Sequence, residues 1–198
     1  MRKILYLIAG IIAAGVVSCS GSGEEYVVKG STSQERLEGE YVFLVPYGPK
    51  NFEDSIGVDS TVVKNGKFEF RGHKGEFLAR VTMHRKVRYG TQDLLIITEP
   101  GEIAVVIDSV SSGRGTRQND ALQMWKELKE NRDKVHWNQT QHINYLRQQG
   151  DTVYANSLAD SLSNFNRNYV DQIHGIMSML GSGTAYDLLK QRYGEAGK

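Results

Sequence analysis

The chain has 198 residues, of which 39% are hydrophobic and 24% are charged, as in folded globular proteins and unlike disordered ones. The 24 lysines and arginines nearly balance the 23 acidic residues, which excludes a generally basic nucleic-acid-binding protein. The single cysteine excludes an internal disulfide bond, a Cys-x-x-Cys redox centre and a zinc site built from several cysteines.

Residues 1–18 have the pattern of a signal peptide. Arg2 and Lys3 precede an apolar run over residues 4–17. A membrane-spanning helix needs about 20 apolar residues, so this run is too short to be one. The run ends in Val-Val-Ser-Cys19, which resembles the lipobox of bacterial lipoproteins. The resemblance implies cleavage after Ser18, a diacylglyceryl thioether on Cys19 and acylation of the new N-terminus. The alternative is an ordinary signal peptide with an incidental cysteine at its end.

Residues 19–25 are predicted to form a flexible tether, because serine and glycine alternate directly after the cysteine. Ser20 directly follows the cysteine, at a position where aspartate would favour retention in the inner membrane, so serine there argues against such retention. Glu24 and Glu25 resemble the surface-export signal of Bacteroidota lipoproteins. We therefore expect a lipid anchor in the outer membrane as the membrane contact, facing either the periplasm or the cell surface.

Residues 26–110 are predicted to form an antiparallel β domain, a sandwich or a partly open barrel, because short β-rich runs alternate with turn residues. The expected strands are residues 26–28, 41–45, 60–64, 67–71, 76–84, 94–97 and 103–107. The polar stretch 34–39 is expected to be a loop.

Two turns are predicted to connect neighbouring strands as hairpins. Asn65 and Gly66 both tolerate positive φ, so they suit a type I′ turn that pairs Lys64 with Lys67 and the flanking residues in register. The pairs expected beyond the turn are Val63 with Phe68, Val62 with Glu69 and Thr61 with Phe70. The residues expected to face the core are Thr61, Val63, Phe68 and Phe70. A second hairpin, 94–97 with 103–107, is expected around Pro100 and Gly101, with Glu99 and Glu102 as turn residues.

Residues 117–193 are predicted to be helical, after a breaker cluster at 111–115 that forms the joint. Asn119 or Asp120 is expected to cap a helix that continues to Gln149 with only a thin apolar stripe. Gly150 and Asp151 supply a helix end and a new N-cap. The second helix has apolar residues at helical spacing over 154–180, which predicts an α-hairpin, and Thr184 is expected to cap a short last helix. The fold class expected is therefore α+β.

Few residues in the sequence are candidates for catalysis or metal binding. The five histidines lack the spacing of a metal site: His136 and His142, for example, lie about 240° apart around a helix. We therefore predict no metal, no cofactor and no catalytic residue. The basic cluster at 84–88 is a solvated loop or a contact for anionic headgroups or glycans. Trp125 and Trp137 on the polar helix are candidates for a partner or sugar-stacking surface, with burial of the tryptophans as the alternative.

Five Asp-Ser/Thr pairs are each followed by an aliphatic residue or threonine, which looks like the acceptor motif for O-glycosylation of exported Bacteroidota proteins. The predicted acceptors are Ser55, Ser60, Ser109, Thr152 and Ser161. The alternative is that the same pairs serve as turn and helix-cap residues.

Three short motifs are similar to those of a domain of unknown function (domain of unknown function 4369) found in Bacteroidota lipoproteins. They are Asn65-Gly-Lys-Phe68, Thr98-Glu-Pro-Gly-Glu-Ile103 and Gly115-Thr-x-x-Asn119. The likeness covers about residues 25 to 125. In that family the domain often precedes a thioredoxin-like module, but the Trp-Cys-x-x-Cys of that module has no counterpart in this sequence, so no redox activity is carried over.

These features together predict a non-catalytic binding or structural module of the cell envelope, anchored in the outer membrane by lipid. The expected partner is an envelope protein or a glycan and not a nucleic acid. The alternative is an accessory to thiol:disulfide exchange, which would act with a separate thioredoxin-like protein through the surface of Trp125 and Trp137.

Overall fold

The computed structural model describes residues 25–47, 59–73 and 75–194. These residues form eight strands followed by three helices, with a single 3-10 turn at Glu35–Leu37. The strands are β1 (Tyr26–Ser31), β2 (Tyr41–Pro46), β3 (Asp59–Val62), β4 (Lys67–Gly72), β5 (Leu78–Met83), β6 (Leu94–Ile97), β7 (Gly101–Val106) and β8 (Ser112–Arg114). The helices are α1 (Arg117–Gln148), α2 (Thr152–Leu180) and α3 (Thr184–Tyr193).

The strands form two four-stranded sheets, in the orders β4-β1-β7-β8 and β3-β2-β5-β6. Every strand pair is antiparallel except β1 with β7, in which Tyr26 lies opposite Gly101 and Ser31 opposite Val106. The sheets do not close into a barrel among the described strands. The predicted α+β class, with a β-sandwich before a helical hairpin and a short last helix, is confirmed.

The core between the sheets is built from alternate residues of the strands, because every second side chain points to the same face. Val28, Val42, Val81 and Ile103 are completely buried there. Leu37 is also completely buried and belongs to this core. The prediction that residues 34–39 form only a polar loop was therefore incomplete, since the 3-10 turn places one apolar side chain inside.

The Asn65-Gly66 turn is confirmed, but the hairpin that it was expected to connect is wrong. Both residues have positive φ, 53° and 68°, and Lys64 and Lys67 exchange backbone hydrogen bonds of 2.8 and 3.1 Å. Beyond that pair the strands separate, because β3 pairs with β2 and β4 pairs with β1.

The residues predicted to face the core from these two strands are largely correct despite the wrong pairing. Val63, Phe68 and Phe70 are buried, whereas Thr61 is only half-buried. The two strands belong to opposite sheets of one sandwich, so both turn their apolar side chains toward the same interior.

The second predicted hairpin is also wrong. Strand β6 pairs with β5, whereas β7 begins at Gly101 and pairs with β1 and β8 in the other sheet. The turn at Pro100 therefore carries the chain from one sheet to the other. The breaker cluster is partly a strand as well, since residues 112–114 form β8 against β7.

The helices lie near their predicted positions, but two of the three expected caps are wrong. Helix α1 begins at Arg117 after the N-cap residue Thr116, so Asn119 lies inside its first turn. Asp151 does cap α2, and its carboxylate accepts a 3.1 Å hydrogen bond from the backbone N–H of Tyr154. Helix α3 follows the N-cap residue Gly183, so Thr184 is its first residue rather than its cap.

A second apolar core joins the helices to the outer side of the β3-β2-β5-β6 sheet. Ile97 meets Trp125 of α1, Ile173 of α2 and Leu189 of α3 in this cluster. Among the described residues, the hydrogen bonds between α1 and the β domain end at Glu130, which accepts from the side chain of Gln92 at 2.6 Å. Residues 134–165, the distal hairpin, extend beyond that point. No helix in the described part of the chain is long and apolar enough to cross a membrane.

Candidate functional site

The first cluster of polar side chains lies where α1 meets the β domain. Glu99, between β6 and β7, accepts hydrogen bonds from the hydroxyl of Thr116 at 2.5 Å and from the backbone N–H groups of Gln118 and Asn119 at 2.8 and 3.3 Å. A carboxylate at this position satisfies unpaired donors of the helix N-terminus and interacts favourably with its dipole. The cap of α1 is therefore a side chain from the β domain.

Asn119 makes a paired contact with the edge strand β6. Its Oδ1 accepts from the backbone N–H of Ile97 at 2.9 Å, and its Nδ2 donates to the carbonyl of the same residue at 2.8 Å. The Asn119 side chain thus replaces the neighbouring strand that β6 lacks. Gln123 acts similarly on β8, where its Oε1 accepts from the backbone N–H of Gly113 at 3.0 Å.

Helix α3 is capped from the β domain in the same way. Glu76, just before β5, accepts hydrogen bonds from the backbone N–H and the hydroxyl of Thr184 at 2.7 and 2.6 Å. Burial raises the pKa of the Glu76 carboxyl, but the bonds from Thr184 and Gln118 lower it, and the net pKa lies below its ordinary value. Gln118 also accepts from the backbone N–H of Ala185 at 2.9 Å.

This junction has a structural role, because its polar groups form hydrogen bonds with one another. Gln118, Asn119 and Gln123 are buried and bonded to backbone groups, which satisfies donors and acceptors that would otherwise be costly inside the protein. Sequence reasoning missed these roles. The available signal was the concentration of three amides within the first two turns of a helix.

Trp125 does not form an exposed surface, so its assignment to a partner surface is corrected here. Its side chain is only 6% exposed, and its indole N–H donates to the hydroxyl of Tyr193 at 3.0 Å. That hydroxyl lies 2.7 Å from the hydroxyl of Tyr169. Burial and the bond with Tyr193 raise the pKa of Tyr169. Trp125 therefore holds the three helices together.

Trp137, by contrast, is 66% exposed on the distal hairpin. Gln141 and Tyr145 follow it at intervals of four residues, so the three share one stripe that is about 12 Å long. Tyr145 and Tyr154 are also exposed, and the ring of His142 contacts that of Tyr154 edge-on with centroids 6.2 Å apart. We call Trp137, Gln141, His142, Tyr145 and Tyr154 the distal aromatic face.

The basic loop at 84–88 is partly tied down by its surroundings. Arg36 donates to the carbonyl of Val87 at 2.8 Å and to that of Tyr89, and its guanidinium lies 4.5 Å from the Tyr89 ring centroid. Arg88 lies 3.8 Å from the carboxylate of Asp93. The loop's backbone is thus held in place while the Tyr89 side chain is exposed.

The structure places the predicted modification sites separately rather than in one cluster. Ser60 lies on β3, Ser109 follows β7, Thr152 begins α2, and Ser161 lies within α2. All four are exposed, as an acceptor must be. Ser55 and Cys19 lie outside the described residues. Within the described ranges, no three His, Cys, Asp or Glu side chains are arranged to hold a metal ion.

The fold and the junction define a β-sandwich domain whose two sheets are joined to a helical layer through buried amides and carboxylates. The sequence matches a family model described as Domain of unknown function (DUF4369) over residues 22–122. The chain belongs to this family, which confirms the resemblance seen in its motifs. No curated protein and no solved structure matches the chain. The matched span includes Glu99, Thr116 and Asn119 and ends before the distal hairpin.

Proposed function

We propose that this protein is a non-catalytic binding module of the cell envelope, anchored in the outer membrane through a lipid on Cys19. In this proposal the distal aromatic face is the surface that binds the partner. The observation that carries the proposal is the position of that face at the end of the molecule opposite Tyr26, near which the described chain begins.

Strand β1 and helix α1 begin at the same end of the sandwich. Tyr26, the first residue of β1, lies opposite Gly72 and Gly101, and the backbone N–H of Gly101 donates to the carbonyl of Glu25. Glu99, two residues before Gly101, caps α1. The described chain therefore begins, at Glu25 and Tyr26, at the end of the sandwich where α1 begins.

Helix α1 then runs along the sandwich and continues past its other end. Asn119 contacts Ile97, the last residue of β6. Eleven residues later in α1, Glu130 contacts Gln92, which lies just before the first residue of β6. A helix of 32 residues is about 48 Å long, and residues 134–148 account for about 22 Å of it. With a lipid on Cys19, we expect the distal aromatic face to lie away from the membrane, because it is at the end of the described fold opposite Tyr26.

The same geometry bears on the basic loop. Residues 84–93 join β5 to β6 at the end where Gln92 meets Glu130, which is opposite Tyr26. Contact between this loop and the headgroups of the anchoring membrane is therefore not part of the proposal.

The acidic groups with shifted pKa values support a non-catalytic role, since each is engaged in a structural contact. Burial raises the pKa of Glu130, but the bonds from Lys126 and Gln92 lower it overall. The bond from Lys129 lowers the pKa of Asp133. Glu130 joins α1 to the β domain through Gln92, whereas Asp133 pairs with Lys129 and Arg132 of its own helix.

The alternative, an accessory to thiol:disulfide exchange that acts with a separate thioredoxin-like partner, stays a prediction. The burial of Trp125 leaves Trp137 as the one exposed tryptophan of the surface expected to contact that partner.

Crosslinking in living cells tests the proposed binding face. A photoreactive amino acid at Gln141 should capture a partner, whereas the same group at the exposed Ser178 of α2, near the start of α1, should not. The crosslink should disappear in a Trp137→Ala/Tyr145→Ala background. Equal capture at positions 141 and 178, or no capture at position 141, would contradict the assignment of the face.

A further inference from the structure

We infer that the distal aromatic face binds a neutral, hydroxyl-rich glycan along the outer surface of α1. This inference rests on the proposed function and names the class of ligand. It depends on the chemistry of the exposed side chains in this part of the helix.

The exposed surface here is polar without being charged. Residues 135–146 contain no Asp, Glu, Lys or Arg, although 24% of the whole chain is charged. The solvent side of a surface helix ordinarily carries charged residues. Here it carries the exposed amides of Asn138, Gln141 and Asn144. An anionic ligand or an acidic protein surface would find no opposite charge on this stretch.

The amides match the hydrogen-bonding character of sugar hydroxyls. Each side-chain amide offers two N–H donors and a carbonyl acceptor, and a hydroxyl can both donate and accept. Gln141 lies on the aromatic stripe, about 40° around the helix from both Trp137 and Tyr145, and Asn138 and Asn144 lie about 60° to either side of Gln141. A neutral polyol can therefore be bonded without the desolvation cost of an ionic group.

The aromatic side chains supply the apolar part of the contact. Trp137 and Tyr145 are 66% and 58% exposed, and each offers a flat apolar ring with a polar edge. The C–H faces of a sugar ring complement such rings. The stripe between them is about 12 Å long, which is longer than one monosaccharide ring. We therefore expect binding to become tighter from monosaccharide to oligosaccharide.

Affinity electrophoresis of the full-length chain tests the ligand class. The native gels would contain dextran, yeast mannan or galactomannan as neutral polysaccharides, with polygalacturonate as an acidic counterpart. We expect at least one neutral polysaccharide to retard the protein and polygalacturonate not to do so. Because residues 135–146 contain no Asp, Glu, Lys or Arg whose charge salt would screen, the retardation should persist at high salt.

Matched variants locate the binding. Trp137→Ala and Tyr145→Ala should each weaken the retardation at least tenfold, and Trp137→Phe should retain part of it. Tyr89→Ala is the control, because Tyr89 is 72% exposed but lies on the loop between β5 and β6. Thermal unfolding of each variant should stay near that of the wild type, since the substituted side chains are exposed.

The inference is overturned if no neutral polysaccharide retards the protein, or if the retardation survives both alanine substitutions. Retardation only by polygalacturonate also overturns it. If the crosslinker at position 141 captures protein and no glycan, the proposed binding face stands but the glycan does not. If neither is captured, the proposed function fails together with this inference.

Discussion

Asn119 allows a quantitative test of the junction between α1 and the β domain. Its side chain is 1% exposed and bonds both the N–H and the C=O of Ile97. Asn119→Ala would leave these two buried backbone groups without partners. Each unsatisfied group costs about 1–3 kcal/mol, so we expect a loss of about 2–6 kcal/mol out of a typical total stability of about 5–15 kcal/mol.

Asn119→Asp separates this role from helix capping. If Asn119 only capped the helix, as its sequence position suggested, aspartate would replace it well, and even alanine would cost only about 0.5–2 kcal/mol. In the paired contact, aspartate keeps an acceptor for the Ile97 N–H but loses the donor to its carbonyl. It also adds a carboxylate near Glu99. We therefore expect Asn119→Asp to lose at least about 2 kcal/mol.

Equilibrium urea unfolding of the full-length chain, followed by tryptophan fluorescence, measures these losses. Asn138→Ala is the control, since Asn138 is exposed on the same helix, and it should change the free energy of unfolding by less than about 1 kcal/mol. An Asn119→Asp protein as stable as the wild type would refute the paired contact as the source of stability.

Three further predictions concern other parts of the molecule. Gly30→Ala would place a Cβ 2.0 Å from the ring of Phe68, so it should destabilise the protein by about 1–3 kcal/mol. In urea unfolding, a Gly30→Ala/Phe68→Leu double variant should lose less stability than the sum of the losses of the two single variants. The folded-state pKa of Glu76 is lowered, so its stabilising effect is present above the unfolded value of about 4.3 and is lost as the pH falls through the folded value. Glu76→Gln should therefore reduce the acid-side loss of stability between about pH 6 and 3, and an unchanged pH profile would count against the contact with Thr184. Cys19→Ala should abolish metabolic fatty-acid labelling and membrane retention; a variant that remains in the membrane fraction would contradict lipid anchoring.

Local features of this fold could be predicted from the sequence because they depend on neighbouring residues. The Asn65-Gly66 turn follows from two residues that accept positive φ. The buried side of α2 follows from apolar residues at helical spacing, and the Asp151 cap follows from a short acidic side chain after a glycine. In each case the deciding interaction lies within about four residues.

Strand pairing could not be predicted in the same way. The alternation of apolar and polar residues along a strand shows which side chains face the core. The same alternation is expected whether two successive strands pair with each other or lie in opposite sheets. The pairing of β1 with β7 joins Tyr26 to Gly101, and no local signal reports a partner so far away along the chain. The turn at Pro100 indicates a change of direction and does not indicate which sheet the next strand joins.

The candidate surface was partly predictable from the sequence. Trp125 and Trp137 are twelve residues apart, which places them about 120° apart around a helix, so they could not share one face. Which of the two is exposed depends on α3, because Tyr193 bonds the indole of Trp125. That contact joins residues 68 positions apart and leaves no pattern in the sequence of α1.

The structure separates the residues that build the fold from those proposed to bind. Glu99, Thr116 and Asn119 lie within the span that the family model matches, residues 22–122, and they fix α1 against the edge of the sandwich. The distal aromatic face lies beyond that span, and its side chains make no hydrogen bond to the described β domain. Substitutions on this face can therefore change the ligand without disturbing the junction, because exposed positions tolerate replacement at low cost. We expect ligand preference to depend on Trp137 and Tyr145 and stability to depend on the junction, with little coupling between them.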